Sequence, residues 1–142
     1  MTRRQRIWLY SAFILTVLSG GVWAVLWHFY REDPEMALPV ENKLLKIHLA
    51  GALIFLIALG SSLPKHASKS WEAKINRVPS ALFILSILGS LLTAYGILAF
   101  VWETSLIHFA HISAGVAMTL LLPLHIFTGR RAEKRRIIRK IP

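Results

Sequence analysis

Four long apolar stretches, separated by polar or charged segments, set the pattern of the chain: Ile7–Tyr30, Leu44–Leu63, Pro79–Trp102 and Thr104–Thr128. A helix that rises about 1.5 Å per residue needs roughly 20 apolar residues to cross the hydrocarbon core of a bilayer, and each stretch reaches that length. Asn76-Arg77-Val78-Pro79 opens the third, with a proline suited to a first helical turn. Gly129 follows the fourth and predicts its end. Only Trp102-Glu103-Thr104 separates the third and fourth stretches, which implies an antiparallel pair. The expected fold is all-α: one integral-membrane domain over residues 1–142, an up-down-up-down four-helix bundle without repeats or low-complexity tracts.

Charge refines the reading. The chain carries 17 Lys and Arg against 7 Asp and Glu, a formal net charge of +10, and 55% of its residues are hydrophobic. In a soluble protein such a surplus would suggest nucleic acid, but here it is shut out of the apolar stretches and gathers between them, so it is topological. Arg3, Arg4 and Arg6, the Pro64–Val78 segment and the tail after Gly129 are basic, whereas Arg31–Lys43 holds Glu32, Asp33, Glu35 and Glu41. Basic short loops stay inside, so both termini are expected on the cytoplasmic side. The first stretch follows basic residues as a signal peptide would, but it is too long and has no small-residue cleavage site before Arg31. Trp23, Trp27, Tyr30, Trp71 and Trp102 fall near the expected interfaces. There is no cysteine, which removes disulfides, thiolate metal sites, iron–sulfur clusters and covalent haem attachment at C-x-x-C-H.

All six histidines lie in or beside the apolar stretches, where an ionisable side chain is expensive and so is a functional candidate. Eighteen residues separate His48 from His66, and fourteen separate His111 from His125. At about 100° per residue the first pair shares a helix face and the second falls about 40° short of doing so. Two imidazoles on one face of each of two helices suit bis-histidine haem ligation, His48 with His111 near the outer side and His66 with His125 near the inner. Gly51 and Gly115, one turn beyond His48 and His111, would leave room for a porphyrin; Gly89 and Gly96 share a face of the third stretch, although small residues also pack membrane helices. His28 is a candidate competing ligand, or a lining of the outer haem edge or a quinone pocket; His108 is better placed for a propionate or a partner. Lys43, Lys46 and Arg31 are candidates to pair with outer propionates and Lys65, Lys69 and Arg77 with inner ones, against the ordinary role of meeting water and lipid head groups. The basic tail anchors on anionic lipid, and Glu103 is a solvated loop acid or a proton acceptor for a quinol.

The sequence resembles the small four-helix membrane b-type cytochromes in Lys46-Ile47-His48 with Gly51, in Gly60-Ser61-Ser62-Leu63-Pro64-Lys65-His66, in Thr93-Ala94-Tyr95-Gly96, and in His111 to His125 followed by Gly129-Arg130-Arg131. The fourteen-residue interval is similar to that of di-haem cytochrome b proteins of respiratory complexes. The departure is the eighteen-residue interval on the second stretch, where Ser62 stands at the fourteenth position. The resemblance implies haem b, two groups or one, and electron exchange between a quinone and a periplasmic or membrane redox protein, in a multi-pass protein of a bacterial inner membrane. It implies an electron-transfer subunit rather than an autonomous enzyme, since short loops leave no room for a flavin or nucleotide domain. Two further readings are a haem-containing oxidoreductase in its own right and a haem-free anchor or assembly subunit of a larger complex.

Overall fold

A computed structural model describes residues 2–30, 39–72, 76–99 and 105–138; within them the side chains at 30, 65–72, 133, 136 and 137 lie outside the description. The described residues form α1 (Arg3–Val25) with a π-helical extension (Leu26–Tyr30), α2 (Pro39–Glu72), α3 (Arg77–Leu98) and α4 (Ser105–Ile138). All four are long and apolar enough to cross a membrane, and between 11% and 28% of each apolar window is buried. Large side chains such as Leu18, Ile57, Leu85 and Leu120 stand more than half exposed. Helices apolar on every side need an apolar surrounding, which suggests a multi-pass membrane protein.

The chain divides into two compact units, Met1–Ser68 and Lys69–Pro142. In the first, a capping box starts α1: Thr2 Oγ1 accepts from the Gln5 backbone N–H and Gln5 Oε1 accepts from that of Thr2. Leu9, Ala12, Phe13, Thr16 and Ser19 are its buried residues, a stripe at helical spacing. This stripe meets α2 antiparallel. Phe13 packs on Phe55 with ring centroids 5.6 Å apart, Thr16 lies against His48 and Gly51, and Arg4, Gln5 and Trp8 share a shallow groove with Ile57, Ala58 and Ser61. The hydroxyls of Thr16 and Ser19 donate to carbonyls of the preceding turn, Ala12 and Leu15, which satisfies them without water.

In the second unit, α3 and α4 also pair antiparallel, along a seam at seven-residue steps. Asn76, Phe83 and Ser90 on one side meet His111, Met118 and His125 on the other, from Ser90 beside His111 to Asn76 and Phe83 beside His125. Heptad spacing keeps a narrow stripe facing one partner, so the fourteen residues between His111 and His125 are two heptads of a helix seam.

Several boundaries differ from the sequence expectation. α2 starts at Pro39 and runs through Pro64 to Glu72, rather than from Leu44 to Leu63. Pro64 withholds one backbone donor, and Ser61 and Ser62 donate to the carbonyls of Ala58 and Leu59 just before it. Glu41, expected in the acidic loop, lies in the first turn of α2, where a carboxylate suits the helix dipole, and is 2% exposed. α4 passes through Pro123 and Gly129 to Ile138 instead of stopping at Gly129. No glycine takes a positive φ among the described residues, so Gly129 does not act as a left-handed cap, and good helix formers carry the turn onward. α3 ends at Leu98, not Trp102, with Ala99 as its cap; residues 100–104, including Trp102 and Glu103, lie outside the described residues, as do 31–38.

Candidate functional site

His48 is the tenth residue of α2, and its surroundings come from α1. The ring Nδ1 lies 2.9 Å from the carbonyl oxygen of Thr16. A carbonyl can only accept, so the bond requires the proton on Nδ1 and leaves Nε2 as the basic nitrogen. Gly20 admits the ring, since a Cβ there would lie 2.7 Å from both Cε1 and Nδ1. Gly51 has a similar duty on the other helix: its missing Cβ would lie 2.8 Å from Thr16 Oγ1 and 3.3 Å from the Thr16 backbone nitrogen. Gly51 thus brings α2 close to the turn of α1 whose carbonyl holds His48.

His111, the seventh residue of α4, repeats this chemistry against α3. Its Nδ1 lies 3.1 Å from the Ser90 carbonyl and 3.0 Å from Thr93 Oγ1. The Thr93 hydroxyl donates to the Gly89 carbonyl at 2.7 Å, so its oxygen is an acceptor toward the imidazole. Both neighbours then call for Nδ1–H, and Nε2 is again the basic nitrogen. Gly115, one turn on, has nothing within 4 Å of where a Cβ would stand.

His125 is held differently. Asn76 caps α3 in the left-handed region, at φ 58° and ψ 30°, a conformation that asparagine tolerates better than most residues. Its Nδ2 lies 2.8 Å from the His125 carbonyl and 3.0 Å from His125 Nδ1, while Thr128 Oγ1 stands 2.5 Å from its Oδ1. Ser80 Oγ lies 3.2 Å from the same Nδ1 but donates to the Asn76 carbonyl at 2.6 Å. Phe83 stacks on the ring with centroids 6.1 Å apart, and a Cβ on Gly129 would touch Asn76 Nδ2 at 3.4 Å.

The remaining candidates are less enclosed. His66 lies within α2, with its side chain outside the described residues. His28 sits on the π-helical extension, exposed, with its ring edge-to-face against Phe29 at 4.9 Å. Lys46 is exposed on α2, His108 is half-buried one turn before His111, and Lys43 is exposed. Arg31 and the side chains of Lys65 and Lys69 lie outside the described residues.

A haem iron needs neutral imidazoles with a basic Nε2 in an apolar setting, and ligating histidines generally donate their other N–H to a carbonyl or carboxylate. His48 and His111 each place Nδ1 against a backbone carbonyl within their own helix pairs. The residues that orient them, Thr16, Gly20, Ser90 and Thr93, were not singled out from sequence for that role. Their signal was there: a threonine, a serine and a glycine within the apolar run of α1, and Ser90 with Thr93 one turn apart in α3. No protein-family model, curated protein or solved structure matches the chain.

Proposed function

We propose that the chain is a membrane b-type cytochrome, with His48 and His111 as its candidate haem ligands, that relays electrons between a quinone and a protein redox partner. One observation carries this reading: on each of two long apolar helices, a histidine within the first ten residues donates Nδ1–H to a backbone carbonyl of the neighbouring helix. The shared tautomer presents Nε2 from both. Bound haem would supply a one-electron carrier in surroundings that exclude water. Thr16 and Ser90 fix the two tautomers and the ring planes, and Gly20 and Gly51 set the approach of α1 to α2.

The direct test is an optical spectrum of the purified, dithionite-reduced chain with haem counted per polypeptide. We expect low-spin b-type bands and stoichiometric haem. A chain that stays colourless when produced with ample haem would favour a haem-free anchor or assembly subunit.

The orientation belongs to the same proposal, with the N-terminus and the basic end of α4 on the cytoplasmic side of a bacterial inner membrane. Alkaline phosphatase, active only in the periplasm, should be silent when fused after Arg131 and active when fused between Glu35 and Glu41. The opposite pattern would reverse the topology.

A further inference from the structure

The histidines of α4 lie two heptads apart on one seam, yet their Nδ1 atoms face groups of opposite character. His111 Nδ1 faces a carbonyl, which can only accept. His125 Nδ1 faces the side-chain amide of Asn76, and the orientation of that amide is decided by the other atom it meets. The backbone carbonyl of His125, 2.8 Å away, can only accept, so the nearer amide atom must be the NH2 group; turned over, two oxygens would oppose each other at that distance. The second amide hydrogen then points to Nδ1 at 3.0 Å. A proton on Nδ1 would set N–H against N–H. Ser80 does not decide the matter: its one hydroxyl hydrogen goes either to the Asn76 carbonyl at 2.6 Å or, turned, to Nδ1 at 3.2 Å, so the hydroxyl follows the tautomer rather than setting it.

We propose that Asn76 is a positioning residue that holds His125 in the Nε2–H tautomer, so that His125 offers a hydrogen bond rather than a lone pair and is withheld from iron. The inner end of the α3–α4 pair therefore does not fit a bis-histidine haem. This rests on the cytochrome reading only in its consequence, one haem per chain; the tautomer stands on the Asn76 amide alone. An Nε2–H aimed from this position suits an oxygen acceptor, not a metal.

Asn76→Gly is a clean deletion, since glycine accepts the left-handed cap without strain. Asn76→Asp replaces the amide donor by a carboxylate, which can only accept and calls for Nδ1–H. The experiment is 15N NMR of the full chain, labelled at its histidine rings, in lipid nanodiscs and in the reduced, diamagnetic state. His125 is assigned by its loss in His125→Asn. In the unaltered protein we expect a bare Nδ1 and a protonated Nε2 at His125, with the reverse at His48 and His111. Asn76→Gly should lose the preference and Asn76→Asp should invert it. An unaltered His125 that shows a protonated Nδ1, or an Nε2 bonded to iron, overturns the proposal; so does an Asn76→Gly protein whose His125 pattern is unchanged. A chain that carries no haem but shows the expected pattern upholds Asn76's role and sinks the cytochrome reading alone.

Discussion

Haem content should fall from one per chain towards none when His48 is replaced by alanine, and the same loss is expected of His111→Ala. Haem held through His48 would lose that ligand, and the residues on either side of it, Ile47 and Leu49, supply none. Each substitution gives up hydrogen bonds worth about 0.5–1.5 kcal/mol apiece, in pairs also held by Phe13 on Phe55 or by Phe83, Ile87, Met118 and Leu122. The helices should therefore survive, and circular dichroism will distinguish a lost cofactor from a lost fold. His108→Ala serves as the comparison and should retain haem. Full haem retention in His48→Ala would end the assignment of that ligand.

The second large effect needs no ligand to be touched. Gly20→Ala places a Cβ 2.7 Å from two atoms of the His48 ring, well inside the roughly 3.5–4.0 Å at which carbon atoms rest. The ring can swing away, but only by giving up the Thr16 carbonyl and re-aiming Nε2. Loss of such an outer partner generally weakens metal affinity by about 10–100-fold, and that is the expected drop in haem affinity. Gly21→Ala is its control, since nothing lies within 4 Å of a Cβ there. Both changes favour the helix itself by up to about 1 kcal/mol, so a deficit specific to Gly20→Ala has to come from the imidazole. Equal haem binding by the two variants would show that the Thr16 bond does not position His48.

Much of this was legible in the sequence, for reasons that also explain the rest. Bilayer thickness imposes a length on every apolar helix, so the four spans follow from hydropathy alone. Helix ends outside such a core obey other rules. The second stretch ends before Pro64 and the fourth before Gly129, but α2 and α4 run through both, and basic helix formers follow the glycine. For the histidines, helix-face arithmetic grouped His111 with His125 on one stripe, but could not say what that stripe faced. That depends on the register of α3 against α4, which places Ser90 beside one and Asn76 beside the other. Gly51 shows the same limit: from spacing it was assigned to a porphyrin edge, and the register of α1 puts it against Thr16.

The unbroken course of α4 ties its two ends together in phase. Its 34 residues extend about 51 Å, some 20 Å more than the hydrocarbon core requires. Counting about 100° per residue from His125, Arg130, Arg131, Lys134 and Arg135 fall between roughly 140° and 280° around the axis, on the side turned away from the seam with α3. All four are exposed, and Arg131 lies over the ring of Phe127 at 5.6 Å. The direction in which this positive stripe points is thus dictated by the packing of His125 on Asn76. One residue added between Gly129 and Arg130 would leave the charge and the span unaltered while turning the stripe by about a quarter of a revolution.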